Sequence, residues 1–323
     1  AIQTSSDILT MNHHNTPAST GEIHKSQHNF WAHALAAIAV AMWGYSFVST
    51  KVLLENGLGP TQIYICRFII AYIVVLCISH KRIFCRSWLD ECLILVCGLL
   101  SGSLYFIAEN NALEYTLATN VALLTSLSPL ITVLLVACIY KSEKISPGTT
   151  AIAFVGVACV VFNSSTDVQI RPLGDFLSLL AAFSWSIYSL ILKKLNAVYD
   201  VWFITRKTFF YGLLTSLPFL VIGDAGGVNP LDVLSRPAVW GNLLFLGLGA
   251  STAAFLIWGN TVKRLGAITA NNYMYLQPIV TMVVSAIILH ERVSFVGITG
   301  IVLILGGLWL GDYLTRLNFG ARK

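Results

Sequence analysis

Apolar runs separated by short polar gaps fill the chain from residue 32 to residue 314. Most runs reach about 18 or more residues, the length that an α-helix needs to cross the hydrocarbon core of a bilayer. In lipid, backbone polar groups must be satisfied within the segment, so these runs predict helices and not strands. The sequence therefore predicts an all-α integral membrane protein with ten transmembrane helices. The predicted spans 1 to 10 cover residues 32–54, 61–79, 92–113, 118–140, 147–163, 174–194, 203–223, 240–262, 267–289 and 294–314.

The second half of the chain repeats the first. Residues 98–140 align without gaps with residues 247–288 at a shift of 149 positions. Identical residues coincide at Gly98 and Gly247, Asn111 and Asn260, Ala118 and Ala267, and Pro129 and Pro278. An internal duplication explains this register and divides the chain into two five-helix repeats, residues 32–163 and 174–314.

Composition places the chain in a membrane. Hydrophobic residues make up 56% of it, charged residues 11%, and the mean hydropathy is +0.75. A soluble domain of this length needs roughly 25% charged residues, so the lipid bilayer is the expected partner. The net charge is +5, but the basic residues lie in short gaps between spans and not in patches, a pattern that argues against nucleic-acid binding. Residues 1–31 are polar and predict a disordered cytoplasmic tail, and residues 315–323 predict a basic one.

Lysine and arginine are distributed unequally between the two sides. With both termini in the cytoplasm, fifteen of them fall inside and four outside. The four outer residues are Lys51, Arg171, Arg236 and Arg292. Because each repeat holds an odd number of spans, the second repeat enters the membrane inverted, which is typical of secondary transporters. We expect a location in the bacterial inner membrane.

Several stretches resemble the EamA-type carriers of the drug/metabolite transporter superfamily. They are WGYSFVSTK at 43–51, Arg67 with Phe68, ALEYTLATNVALLTSLSPL at 112–130, and the endings EKIS from Glu143 and ERVS from Glu291. The resemblance implies a basket of helices 1 to 4 and 6 to 9 around a central cavity, with helices 5 and 10 at the periphery. It also implies export of amino acids or related small metabolites. The sequence Ala-Glu-Asn-Asn at 108–111 departs from the family pattern.

Three charged residues inside or near the spans are candidates for coupling. Charges within the hydrocarbon cost about 2.5 to 3.5 kcal/mol each, so Lys51, Arg67 and Glu109 need a reason to be there. All three are expected in the outer half, where they fit one cluster, and we expect Glu109 to bind a proton during transport. The structural alternatives are that Lys51 reaches to the interface and that Arg67 pairs permanently with Glu109.

Aromatic and polar residues in the spans are candidates for lining the cavity. They are Trp43, Ser46, Tyr105, Asn120, Trp185, Tyr188, Trp258, Asn271 and Tyr275. The alternatives are lipid-facing or core packing for the rings and hydrogen bonds between helices for the amides. Pro129 and Pro278 are hinge candidates, with static kinks as the alternative. Gly307 and Gly311 on span 10 have the spacing of a close helix contact, which fits a homodimer.

The chain lacks the phosphate loop of ATPases, the HExxH zinc motif and the GxSxG nucleophile motif. Its seven cysteines form no CxxC pair, and no cofactor or metal is expected. The sequence therefore predicts a secondary active carrier and not an enzyme, working by alternating access through the cavity. The alternatives are a nucleotide-sugar or phosphorylated-metabolite exchanger, with Lys51 and Arg67 holding the anion, and a channel or membrane-embedded enzyme that uses Glu109.

Overall fold

The computed structural model describes residues 20–80, 82–140, 172–223, 230–233 and 236–291, and the single positions 295, 298, 299, 302 and 306. Span 5 lies outside these residues. So do residues 1–19, most of span 10 with Gly307 and Gly311, and the basic tail 315–323. The expectations for those segments remain predictions.

The regular structure of the described residues is helical throughout. The α-helices are α1 (Thr20–Glu55), α2 (Pro60–Ile78), α3 (Trp88–Gly98), α4 (Tyr105–Tyr115), α5 (Ala118–Thr125), α6 (Ser128–Tyr140), α7 (Pro172–Leu195), α8 (Val201–Gly223), α9 (Pro230–Val233), α10 (Pro237–Leu244), α11 (Ala254–Leu265), α12 (Ala267–Asn271) and α13 (Gln277–Ile288). Two π-helical segments, Leu99–Leu104 and Phe245–Ala253, join α3 to α4 and α10 to α11, and a 3-10 segment, Asn272–Leu276, joins α12 to α13.

Within the described ranges, six helical stretches are long and apolar enough to cross a membrane. They are Phe30–Glu55, Pro60–Ile78, Trp88–Tyr115, Ala118–Val136, Pro172–Leu195 and Pro237–Leu265. These stretches match predicted spans 1, 2, 3, 4, 6 and 8, and helices α8 and α12–α13 lie where spans 7 and 9 are predicted. Helix α1 begins at Thr20, before the expected start of span 1 at residue 32.

Helices of one half pack extensively on helices of the other half. From the first half, α4 packs on α7 of the second half, and the π segment Leu99–Leu104 packs on α8. From the second half, α11 packs on α1 of the first half, and the π segment Phe245–Ala253 packs on α2. These contacts are symmetric between the halves. If span 1 is exchanged with span 6, span 2 with span 7 and span 3 with span 8, the same pairs of spans are in contact.

Glycines permit the close approach at both π segments. A Cβ atom on Gly98 would lie 2.6 Å from Cβ of Tyr211, and one on Gly247 would lie 2.7 Å from Cγ2 of Ile70. Gly98 and Gly247 coincide in the 149-residue register, so in each half an equivalent glycine permits close packing on the other half.

Spans 4 and 9 each consist of more than one helical piece. Helix α6 begins at Ser128 and α13 begins at Gln277, so Pro129 and Pro278 each occupy the second position of a new helix. Each proline therefore lies in a first turn, where a missing N–H leaves no intrahelical bond unmade. The hinge role of both residues remains a prediction.

Glu291, the first residue of the ERVS ending, stabilises the start of α5. Its carboxylate accepts hydrogen bonds from the backbone N–H of Ala118 (2.9 Å) and the hydroxyl of Thr119 (2.9 Å). A carboxylate at a helix N-terminus interacts favourably with the free N–H groups and the helix dipole. This motif residue of the second half therefore holds a helix of the first half.

Candidate functional site

A small cavity lies among α1, α4, α7, the 3-10 segment and the start of α13. Its volume is about 10 Å³, which is room for one water molecule. Both halves of the chain supply its walls. The eight lining residues are Trp43, Ser46, Tyr105, Phe106, Glu109, Trp185, Met274 and Gln277. Five of them are among the residues that the sequence singled out.

Aromatic rings from four helices surround this cavity. The ring of Trp43 lies 5.1 Å from Trp185 and 5.2 Å from Trp258, measured between centroids. The ring of Trp185 lies 5.2 Å from Tyr105, which in turn lies 4.9 Å from Phe106. Edge-to-face and tilted pairs at these distances add stability beyond the area that they bury.

Glu109 is the one charged side chain that lines the cavity. It is only 2% exposed, and its carboxylate is within hydrogen-bonding reach of the Tyr105 hydroxyl one turn earlier in α4. Its Oε1 atom has no hydrogen-bond partner among the described residues. Burying a charged oxygen without a partner is costly, so this carboxylate needs a proton or a cation.

Arg67 is fully buried in α2 and packs on the other side of the aromatic cluster. Its guanidinium carbon lies 4.6 Å from the centroid of Phe106, and its Nε donates to Oγ of Ser251 at 2.9 Å. Arg67 attracts Glu109 through space, but the two side chains make no ion-pair contact. This conformation therefore does not contain the ion pair between Arg67 and Glu109 that the structural alternative requires.

Lys51 serves a different purpose. Its Nζ donates to the carbonyl oxygens of Leu113 (2.6 Å) and Thr116 (2.9 Å), at the C-terminal end of α4. A cation there satisfies carbonyls that the helix leaves free and favours the helix dipole. The predicted cluster of three charges thus reduces to Arg67 and Glu109 in proximity, with Lys51 holding a helix end.

The remaining predicted residues surround the cavity without lining it. Trp258 is fully buried against Trp43, and Tyr188 lies 5.1 Å from Trp185. The amide of Asn271 donates to Thr132 at 2.9 Å and joins two helices, as the structural alternative expected.

Two predicted polar residues also lie outside the cavity wall. The amide of Asn120 donates to the hydroxyl of Thr116 at 3.4 Å, between α4 and α5, and Tyr275 is half-buried in the 3-10 segment.

Three lining residues were not predicted: Phe106, Met274 and Gln277. Gln277 had a signal in the sequence, because the 149-residue shift pairs it with Ser128, and both precede the repeated proline. Phe106 and Met274 have no such signal, since apolar residues in an apolar span give no indication of which face they occupy.

A second group of polar contacts joins the gap between spans 2 and 3 to α8. The carboxylate of Glu91 pairs with Lys207, accepts from the Tyr211 hydroxyl, and accepts from the backbone N–H of Cys85 at 2.9 Å. Arg206 donates to two carbonyls of the same gap, those of residues 79 and 82. We call this group the gap network.

Cys85 in the gap network carries a perturbed thiol. Burial raises the pKa of Cys85 to about 11, and a hydrogen bond with the Glu91 carboxylate adds to the increase. The nearby Lys207 acts in the opposite direction. The thiol is therefore neutral at physiological pH. In the described part of the chain, no three His, Cys, Asp or Glu side chains come together as a metal site.

Comparison with known proteins gives a consistent assignment. The EamA-like transporter family matches residues 30–165 and again residues 172–311. An uncharacterized transporter of Archaeoglobus fulgidus is 26% identical over 286 residues, covering 87% of this chain and 97% of that protein. A protein of Escherichia coli named "Probable amino-acid metabolite efflux pump" is 24% identical over 291 residues, covering 87% of this chain and 95% of that protein.

A solved crystal structure has the same fold. It covers 88% of this chain and 97% of its own, with a TM-score of 0.62 and 20% sequence identity. The two segments that match the family model cover most of the sequence. The chain belongs to the EamA-like transporter family, as its motifs predicted, and it is a membrane transporter and not an enzyme.

Proposed function

We propose that this transporter is a secondary active carrier that exports amino acids or related small metabolites across a bacterial inner membrane, with both termini in the cytoplasm. The observation that carries the proposal is the cavity between the halves, which combines aromatic walls with a buried carboxylate. Trp43, Tyr105 and Glu109 come from the first half, and Trp185 and Gln277 from the second. The name of the Escherichia coli relative supports the substrate class.

The ten helices form two five-helix repeats related by an axis in the membrane plane. Three observations support this arrangement: the 149-residue register, the exchange-symmetric packing of spans 1 to 3 on spans 6 to 8, and the paired π segments. In carriers built this way, the substrate site lies between the repeats near the middle of the bilayer, and the repeats rock against each other. The new helices that begin at Ser128 and Gln277 are the proposed hinges.

Glu109 couples transport to a proton in this proposal. The groups that act on it are Arg67 from α2 and Tyr105 of its own helix. Its unpartnered oxygen requires neutralisation, and a proton supplies this when no substrate is present. The exchanger alternative has less support, because Lys51 binds helix carbonyls and Arg67 does not line the cavity.

Counterflow in proteoliposomes tests the proposal. Purified protein is reconstituted, vesicles are loaded with one member of a panel of amino acids, small metabolites and nucleotide sugars, and uptake of its labelled form is followed. A carrier gives uptake that increases with unlabelled substrate on the opposite side. Flux that ignores the opposite side would identify a channel, and stimulation by nucleotide sugars alone would favour the exchanger.

A further inference from the structure

The charge of the cavity distinguishes among substrates. Glu109 is the single charged residue among the eight that line it, and the neighbouring positive charge, Arg67, packs behind Phe106. The other polar groups of the wall, those of Ser46, Tyr105, Trp185 and Gln277, are neutral. A substrate carboxylate in this space would face the Glu109 carboxylate with no cation among the eight lining residues, whereas a substrate cation would pair with Glu109 directly.

The aromatic rings around the cavity also favour a positively charged substrate group. Trp43, Trp185, Tyr105 and Phe106 form a continuous chain of neighbours with centroids 4.9 to 5.2 Å apart. Aromatic faces attract cations, and groups of such rings are used to bind ammonium ligands. Two nearby indole N–H groups, those of Trp185 and Trp258, have no partner among the described residues and are able to bind a polar substituent.

The size of the cavity fits a head group. A volume of about 10 Å³ holds one water-sized group, and an ammonium group is of similar size. The rest of a substrate needs the rings to move, which is consistent with a cavity that opens during transport.

We propose that the cavity recognises its substrate by an ammonium group, which binds between the Glu109 carboxylate and the rings of Trp43, Tyr105, Phe106 and Trp185. This inference rests on the proposed function, because it takes the cavity as the substrate site. It narrows the substrate class to amines and amino acids, with the ammonium group as the essential part and the carboxylate as optional.

A matched series of four compounds tests the proposal on the purified full chain in detergent. The compounds are 3-methylbutylamine, L-leucine, N-acetyl-L-leucine and 4-methylpentanoate, which keep the same branched body and differ in the ammonium and carboxylate groups. Binding is measured by calorimetry and by tryptophan fluorescence at pH 7. We expect the first two compounds to bind at least tenfold more tightly than the last two. Equal binding of the acid and the amine, or no binding by any of the four, would overturn the proposal.

Variants then locate the interaction. Glu109→Gln should weaken binding of 3-methylbutylamine at least tenfold, and Glu109→Asp should restore part of it. Glu114→Gln, an exposed acid on the same helix, is the matched control and should bind as the parent protein does. Unfolding temperatures of all variants show whether the fold is kept, and the four-compound series stands independently of them. Unchanged amine binding in a folded Glu109→Gln variant would overturn the proposal.

The two proposals fail separately. If amines bind at Glu109 but no compound shows counterflow, the carrier function is wrong and the ammonium site stands. If counterflow occurs only with substrates that lack an ammonium group, the carrier function stands and the ammonium site is wrong.

Discussion

Two glutamates on span 3 show how differently the same side chain is used in this protein. Glu91 lies near the end of the span, where both of its oxygens have partners from Lys207, Tyr211 and the backbone of Cys85. Glu109 lies deeper, and its Oε1 has no partner among the described residues. A satisfied carboxylate holds two elements together, whereas an unsatisfied one is available to a ligand or a proton.

The largest effect should follow from Glu109→Gln. This change keeps the shape and hydrogen-bonding capacity of the side chain but removes its charge and its titration. We expect counterflow to fall at least tenfold and the remaining flux to be independent of pH between 5.5 and 8. Proteoliposome flux at several pH values measures this. An unchanged pH profile would assign Glu109 a structural role with Arg67.

Glu91→Ala should do the opposite, lowering stability more than it affects binding. Hydrogen bonds to charged groups contribute about 1.5 to 3 kcal/mol each. Lys207, which is only 7% exposed, would lose its carboxylate partner and keep the carbonyl of Ile83. We expect the free energy of unfolding to fall by about 3 kcal/mol. Unfolding in a denaturing detergent measures the change, with Glu114→Ala as control. A variant of normal stability that fails to bind substrate would contradict the distinction between the two glutamates.

Gly98→Ala should give an intermediate loss of stability. Gly98 lies between Glu91 and Glu109 along span 3, where α3 approaches α8 closely. The added Cβ would fall 2.6 Å from Cβ of Tyr211, which forces α3 and α8 apart. Overpacking of this kind costs about 1 to 3 kcal/mol. Gly241→Ala is the matched control, since a Cβ there meets nothing within 4 Å. Equal stability of the two variants would show that the close contact is not needed.

The smallest effect concerns the reactivity of Cys85. A pKa of about 11 leaves little thiolate at pH 8, and only the thiolate reacts quickly with maleimides. In a variant that keeps this cysteine alone, alkylation should be slow and should accelerate about tenfold per pH unit.

Glu91→Gln should increase the rate a few-fold at pH 8, because it removes a neighbour that raises the thiol pKa, while burial remains. Ser87→Cys in a cysteine-free background gives the rate of an exposed thiol in the same gap. A Cys85 that reacts as quickly as this control would show that the gap network is open in solution.

Six predicted spans match described helical stretches, because a bilayer imposes length and apolarity on each helix separately. Lining residues such as Trp43 and Glu109 could also be predicted from the sequence, since large rings and acids in an apolar span need an explanation. The role of Lys51 could not be predicted, because its carbonyl partners belong to the end of another helix and depend on how the two helices pack. Glu291 was recognised as part of a repeated motif, but its contact with α5 in the other half requires the fold.

Glu91 escaped notice for a different physical reason. Charged residues near the ends of transmembrane helices are common and have little cost, so a sequence pattern does not distinguish a bonded one from a solvated one. Its partners on α8 come from more than one hundred residues away along the chain.

The π segment Leu99–Leu104 also sets the rotational phase of everything that follows it in span 3. Its hydrogen bonds span one residue more than those of an α-helix, so the segment holds about one residue more than an α-helical stretch of the same rotation. Converting it to regular α-helix without changing its length would turn α4 relative to α3 by about 100°, the advance of one residue. Tyr105 and Glu109 would then leave the cavity wall, although the span would keep its length and apolar character. The position of the site therefore depends on helix type as well as residue identity, and the second π segment at Phe245–Ala253 carries the same dependence.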